Sequence, residues 1–91
     1  MELRELEYIV TIAREGSISR AAERLYMAQS SLSQFLQKYE SELGTKLFMR
    51  TASGVRLTYS GEVFVKGAKQ ILFQYHQLRG ELGDIEQLRS G

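Results

Sequence analysis

A row of amides and hydroxyls with one ammonium group gives this sequence its clearest capacity for chemistry. The row recurs along one face of a helical pattern and consists of Gln29, Ser30, Ser33, Gln34, Gln37 and Lys38. Amides and hydroxyls both donate and accept hydrogen bonds, and an ammonium group donates them to anions. No acidic residue interrupts the row before Glu40. The chemistry that these residues offer is recognition of a polar surface.

The sequence shows no machinery for catalysis. Cysteine is absent, which excludes thiolate zinc sites, iron–sulfur clusters and disulfides. His76 is the only histidine and cannot hold a metal ion alone. Glu5 and Glu7 have no nucleophile with which to form an acid/base pair. We therefore predict a protein that is not an enzyme and has no catalytic residues, no metal site and no cofactor.

Length and composition describe one small globular domain. The 91 residues suffice for a single core, and 43% hydrophobic with 25% charged residues is ordinary for a globular chain. Apolar runs such as residues 63–65 are far too short for a membrane span or a signal peptide. We expect a cytoplasmic protein with no membrane partner.

Three amphipathic segments indicate the helices that position the polar row. Apolar spacing predicts a first helix over about residues 2–15 and a short second helix over residues 20–25, with Ser17 and Ser19 as caps. The third helix runs over about residues 29–43, and glycines follow the first and third helices as stops. Its apolar face, opposite the polar row, consists of Leu32, Leu36, Tyr39 and Leu43.

A basic hairpin follows the third helix. Residues 47–50 and 55–58 read as short strands around a turn that ends in Gly54, and they carry Arg50 and Arg56. Two helices joined by a short turn and followed by such a hairpin describe a winged helix-turn-helix. A helix fits the DNA major groove, where Gln and Ser can bond base edges, and arginines on a wing can clamp phosphates.

The charge distribution adds modest support for a nucleic-acid partner. The formal net charge is only +1, but from Ser17 to Thr58 six basic residues face three acidic ones. For an arbitrary helix, simple solvation of the polar face is the commoner explanation. The order of the parts, rather than any single part, favours DNA.

A long helical pattern completes the chain from about residue 60 to residue 89. Apolar residues recur in steps of four and three at Phe64, Ala68, Ile71, Tyr75, Leu78, Leu82 and Ile85. This is the seam of a helix that pairs with another helix, and at about 40 Å it would project from so small a domain. A second copy of the chain is the natural cover. Gly67, Gly80 and Gly83 lower the helical propensity, which predicts bending or fraying of the last two turns.

A family resemblance covers residues 1 to about 65 without a gap. The residues that carry it are Leu3-Arg4-Glu5-Leu6 with Tyr8, residues 15–25, Gln29-Ser30-Ser31-Leu32-Ser33, Glu40 with Glu42-Leu43-Gly44, Leu47-Phe48 with Arg50, and residues 54–58 with Gly61. In this order they resemble the N-terminal DNA-binding region of LysR-type transcriptional regulators. The helical remainder resembles the linker helix of that family.

The resemblance implies a mostly α fold with two parts. Residues 1–58 would form a winged helix-turn-helix of three helices and a two-stranded β-hairpin wing, and residues 59–91 a long dimerising linker helix. The chain would bind double-stranded operator or promoter DNA sequence-specifically as a homodimer joined through antiparallel linker helices. The recognition helix, about 29–43, would enter the major groove, and the wing, about 47–58, would contact the backbone or minor groove.

The family's effector-sensing domain follows the linker. The chain is therefore expected to be the DNA-binding part alone, either as a truncated chain or as a naturally short protein, and a small-molecule effector is expected only for the missing C-terminal domain. We also expect association with the bacterial nucleoid in use.

The DNA-binding residues predicted in this way are Ser17, Gln29, Ser30, Ser31, Ser33, Gln34, Gln37, Lys38, Arg50, Arg56 and Thr58. Gln29, Ser33 and Gln34 match positions at the DNA face. Ser31 and Lys38 suit phosphates better than bases. Thr58 is expected both to cap the long helix and to donate to a phosphate.

Several side chains depart from the family pattern or allow more than one role. Ser30 stands where the family usually has proline, and Gln34 where it commonly has arginine, which tilts recognition away from guanine. Phe35 replaces a usually polar residue and either packs under the wing, the favoured reading, or touches a thymine methyl. Arg50 could instead form an ion pair with Glu40 or Glu42.

The sequence is compatible with two functional hypotheses from different classes. One is a sequence-specific DNA-binding regulator domain, and the other is a winged-helix module that only pairs with proteins while its polar helix face is solvated. A winged-helix regulator of another family is a narrower third reading. Salt-dependent binding with a preference for one duplex separates the first two.

Overall fold

The computed structural model describes residues 2–90 and contains four helices and one hairpin. In chain order these elements are α1 (Leu3–Glu15), α2 (Ile18–Arg24), α3 (Gln29–Leu43), β1 (Phe48–Thr51), β2 (Gly54–Leu57) and α4 (Tyr59–Ser90). The order of three helices, an antiparallel two-stranded wing and a long helix confirms the predicted fold class. Within residues 2–90, no helix combines the length and apolar character needed to cross a membrane.

The helix ends follow local backbone chemistry. Gly16 and Gly44 end α1 and α3 with φ angles of 65° and 75°, a left-handed conformation that glycine adopts without strain. Ser17 caps α2, because its Oγ accepts a hydrogen bond from the Arg20 N–H at 3.2 Å. The prediction that Ser19 is also a cap is wrong, since α2 begins at Ile18 and places Ser19 inside the first turn.

The core lies where α1, α2, α3, the wing and the first half of α4 meet. Its most deeply buried large side chains are Ile9, Ile12, Leu32 and Leu47. Three of the four residues on the predicted apolar face of α3 are buried in this core, but Leu43 is 39% exposed. Leu43 was placed wrongly because it is the last residue of α3, which ends at the surface beside Gly44.

A hydrogen bond holds the wing against the turn between α1 and α2. The Val55 N–H donates to the Gly16 carbonyl oxygen at 3.0 Å. Gly54 has a φ of 149°, and a Cβ atom there would overlap that same oxygen. Thr51 pairs with Gly54, so the turn itself consists of residues 52–53 and Gly54 opens β2. This glycine serves the close approach of two backbones as well as the bend of the hairpin.

The long helix α4 serves the core with one face and leaves another uncovered. Thr58 caps it, since its Oγ1 accepts a hydrogen bond from the Gly61 N–H at 3.0 Å, as predicted. Val65, Ala68 and Leu72 are buried within the chain, and α4 packs along α1 over this stretch. The prediction that Ala68 lies on the exposed seam is wrong, because Ala68 is buried within its own chain. Val65 and Leu72 are core residues that the sequence pattern did not identify.

Beyond Leu72 the helix leaves the core, and the described chain measures 54 Å along its longest axis against 25 and 21 Å across. The helix continues unbroken through Gly80 and Gly83, where bending or fraying was predicted. Five seam residues carry a side chain at least 36% exposed, namely Ile71, Tyr75, Leu78, Leu82 and Ile85. From Ile71 onward, α4 therefore presents an apolar stripe to solvent.

Replacing Gly54 with alanine is expected to lower the free energy of unfolding by about 2 kcal/mol or more, because the methyl group meets the Gly16 carbonyl and the φ angle is strained. Gly67→Ala is the matched control. Gly67 lies within α4 with open space around it, so alanine there should stabilise by about 0.5–1 kcal/mol. Urea denaturation measures both changes, and equal effects of the two substitutions would contradict the close approach of the wing.

Candidate nucleic-acid interface

The exposed face of α3 carries the polar row that the sequence predicts. Six side chains of the predicted set are exposed on α3, namely Gln29, Ser30, Ser31, Gln34, Gln37 and Lys38, while Ser33 is half-buried. Ala28 precedes the helix and supplies no side-chain cap, and the first turn contains no acidic residue. The first backbone N–H groups of α3 and the positive end of its dipole are therefore open to an anion.

A groove of about 640 Å³ separates α3 from the wing. Polar and basic side chains along it include Ser33, Gln37, Lys46 and Arg50, and Met49 adds an apolar group. Lys46 and Arg50 are both exposed, whereas the Glu40 carboxylate in the lining is buried and hydrogen-bonded. The groove therefore combines hydrogen-bonding groups on the helix side with exposed positive charge on the wing side. Such a groove suits a polyanionic strand.

The two wing arginines occupy different faces of the hairpin. Arg50 pairs with the buried Val55 and lines the groove, whereas Arg56 pairs with Met49 and lies outside the lining. Neither arginine forms an ion pair with another residue of the 2–90 segment. The alternative that Arg50 pairs with Glu40 or Glu42 is therefore wrong, and both guanidinium groups are available to a ligand.

Glu40 determines how the wing meets α3. Its carboxylate is buried, and one oxygen accepts hydrogen bonds from the Leu47 N–H at 2.7 Å and the Phe48 N–H at 3.1 Å. The other oxygen lies 3.8 Å from the Lys46 ammonium group. Lys46, rather than Arg50, is the cation beside Glu40. Lys46 belongs to the basic segment of the sequence but is not among the predicted interface residues; its position just before the wing was the available signal.

The two hydroxyls at the edge of the interface have different capacities. Ser17 is half-buried, and its Oγ accepts a bond from the Arg20 N–H, so its own hydrogen remains free to donate. The Thr58 hydroxyl donates to the Lys46 carbonyl oxygen at 2.6 Å and accepts from Gly61. The single hydrogen of this hydroxyl is already used in the bond to Lys46. The prediction that Thr58 also donates to a phosphate is therefore wrong.

Phe35 belongs to a group of four rings that we call the aromatic cluster: Tyr8, Phe35, Tyr39 and Phe64. Phe35 packs edge-on against Tyr8 with ring centroids 5.1 Å apart, and stacks on Tyr39 at 5.1 Å. Tyr39 in turn meets Phe64 edge-on at 5.9 Å. The favoured prediction that Phe35 packs under the wing is wrong, because the ring packs against Tyr8 of α1 and Tyr39 of its own helix instead.

The sequence of the chain matches a protein-family model over the three helices, the wing and the start of α4. The model for "Bacterial regulatory helix-turn-helix protein, lysR family" matches residues 3–62. The chain is 38% identical over 94 residues to the HTH-type transcriptional regulator TfdT of Cupriavidus pinatubonensis, covering 94% of this chain and 41% of that protein. It is 41% identical over 92 residues to the regulator BsdA of Bacillus subtilis, covering 100% and 32% respectively.

Solved structures extend the similarity to DNA complexes. A structure of the BenM DBD with catB site 1 DNA gives a TM-score of 0.87 at 36% identity, covering 93% of this chain and 96% of that one. A CbnR DBD–DNA complex gives a TM-score of 0.76 at 33% identity, with 100% of both chains covered. The chain spans 41% and 32% of the lengths of TfdT and BsdA.

Replacing Glu40 with glutamine should lower the free energy of unfolding by about 1–3 kcal/mol, because it weakens charge-assisted hydrogen bonds to two buried N–H groups. Glu42→Gln, two residues along the same helix and exposed, should change it by no more than about 0.5 kcal/mol. Chemical denaturation of both variants tests the assignment. Equal stabilities would mean that the Glu40 carboxylate does not hold the wing.

Proposed function

The chain belongs to the LysR family of bacterial regulatory helix-turn-helix proteins, and we propose that it binds double-stranded operator or promoter DNA sequence-specifically as a dimer and regulates transcription. One observation carries the proposal most directly: α3 exposes an unbroken polar face beside a wing whose two arginines form no ion pair within residues 2–90. The similarity to complexes of the BenM and CbnR DNA-binding domains supports it. The matched relatives are named regulators, and no enzymatic role is proposed.

In this proposal α3 lies in the major groove. Gln29 and Gln34 are exposed near its N-terminus and can bond adenine edges, while half-buried Ser33 approaches only closely placed groups. Ser30, Ser31 and the free N–H groups of the first turn suit a phosphate. Gln37 and Lys38 lie one helical turn after Gln34 and would contact the DNA at the rim of the major groove. Lys38 would do so through a phosphate.

The wing would hold the backbone beside that groove. Arg50 and Lys46, which both line the groove on its wing side, are placed to neutralise phosphates of one strand. Arg56, on the other face of the hairpin, would reach the neighbouring backbone or minor groove. Ser17 would donate its free hydroxyl hydrogen to a phosphate.

The exposed stripe of α4 would form the homodimer. Residues 1–58 would act as the DNA-reading unit and residues 59–91 as the dimerising linker. A small-molecule effector would act through the rest of a longer protein, as the limited coverage of TfdT and BsdA suggests. The regulator would work in the bacterial cytoplasm at the nucleoid.

DNA binding is best tested with duplexes recovered from a random pool by the wild-type chain and with a scrambled duplex, using fluorescence anisotropy at several salt concentrations. Gln29→Ala should weaken binding to the recovered duplex by about 1–3 kcal/mol and leave the scrambled duplex unaffected, since it removes base contacts. Arg50→Ala should weaken both duplexes alike and reduce the salt slope by about one unit.

Gln74→Ala, on the exposed surface of α4, is the matched control and should change neither affinity. Weak binding that is equal for every duplex would contradict the proposal. It would favour the alternative of a protein-pairing module, whose polar α3 face is merely solvated.

Charging the seam should disrupt the dimer. Leu78 is 54% exposed on the stripe, so Leu78→Glu should weaken self-association about tenfold or more, as measured by sedimentation velocity. Leu88 lies on the same helix but outside the stripe and is 82% exposed. Leu88→Glu should leave the dimer intact, and an unchanged profile for Leu78→Glu would place the interface elsewhere.

A further inference from the structure

The aromatic cluster joins the reading helix to the stripe that the dimer would use. We propose, resting on the function above, that the C-terminal end of α4 of a second copy packs on Phe64 and thereby holds α3 in its DNA-reading position. The second copy would then complete the DNA site as well as double it. Three features of the cluster and of α4 carry the inference.

The first feature is continuous contact from α3 to the stripe. Phe35 and Tyr39 both belong to α3, and Tyr39 meets Phe64 of α4 with ring centroids 5.9 Å apart. Phe35 lies one residue after Gln34, a proposed base-reading residue. Because packed rings transmit displacement rather than absorb it, the position of Phe64 constrains the orientation of α3.

The second feature is that the cluster is incomplete. Phe64 is only half-buried, and the steps of four and three place it on the same stripe as Ile71, Leu78 and Ile85. The buried Tyr39 hydroxyl has no hydrogen-bond partner among residues 2–90, so no polar contact from that group fixes α3. Burial, with smaller contributions from Glu5 and Glu42, raises the pKa of Tyr39, in keeping with a dry apolar setting. Further packing on Phe64 is what would hold this corner of α3.

The third feature is the charge along α4, which selects the orientation of the second copy. The first half, residues 59–74, carries Lys66 and Lys69 against Glu62, whereas residues 75–90 carry three acids against two arginines. An antiparallel pair sets the positive half opposite the negative half, and a parallel pair opposes like charges. The stripe runs from Phe64 to Ile85, so an antiparallel pair centred near Tyr75 brings Ile85 of the partner subunit onto Phe64.

Distance makes this arrangement testable. Within one chain, Phe64 and Ile85 are 21 positions apart on a continuous helix, or about 30 Å at the helical rise. Ile85 therefore cannot influence its own α3 by contact. Any effect of Ile85 on DNA preference in a fully formed dimer has to pass through the partner.

The experiment compares Ile85→Ala with Leu78→Ala, two apolar stripe residues with the same 54% exposure. Each variant is held at ten times its own dimerisation Kd, measured by sedimentation. Competition between the recovered duplex and its scrambled form then gives the specificity ratio. Leu78→Ala should keep the wild-type ratio within about twofold, whereas Ile85→Ala should lower it about three- to tenfold.

A double-mutant cycle identifies the route. Phe64→Leu should lower the ratio as Ile85→Ala does, and adding Ile85→Ala to Phe64→Leu should lower it no further, because both changes remove one contact. Equal ratios for Ile85→Ala and Leu78→Ala, or additive effects in the double variant, would overturn this inference while leaving DNA binding intact. If the wild-type chain itself does not discriminate between the duplexes, the proposed function fails first.

Discussion

The buried carboxylate of Glu40 is the interaction on which the geometry of this molecule depends. Two backbone N–H groups at the start of the wing, those of Leu47 and Phe48, donate to a single oxygen of a residue on α3. α3 and the basic hairpin are consequently tied by direct hydrogen bonds as well as by the loop between them. The absence of a side chain at Gly54 lets the far end of the hairpin close on Gly16. The groove between α3 and the wing lies beside these contacts.

The helix α4 has two apolar faces, of which one is buried in the core and the other is exposed. Val65, Ala68 and Leu72 complete the core beside α1, while the stripe from Ile71 onward is uncovered. Thr58 fixes where this helix starts, because its hydroxyl is bonded both to the first turn and to the Lys46 carbonyl just before the wing. The wing and α4 are therefore joined through one hydrogen-bonded residue. In a dimer, the separation of the two reading helices would follow from the length and crossing of the α4 helices.

Sequence reasoning predicted the parts whose signals are local. Glycines at helix ends, the apolar spacing of α1 and α3, and the basic hairpin all depend on neighbouring residues, and the structure has them where expected. Features that depend on packing were missed. One pattern of apolar spacing could not separate the face of α4 that packs on its own core from the face left for another helix. Ala68 was therefore assigned to the second face, although it is buried in the core. Phe35 turns toward Tyr8 and Tyr39 because those rings surround it in three dimensions, and Glu40 reads as an ordinary acid in sequence although it is buried.

In the proposed dimer, two copies of α3 read one duplex while their wings hold its backbone. Hydroxyl-radical footprinting of the wild-type chain, on a duplex that it recovers from a random pool, distinguishes this arrangement from any other. We expect two protected half-sites on one face of the DNA, with centres separated by whole helical turns of about 10 base pairs. Protection of a single segment, of half-sites on opposite faces, or of no segment at all would contradict it.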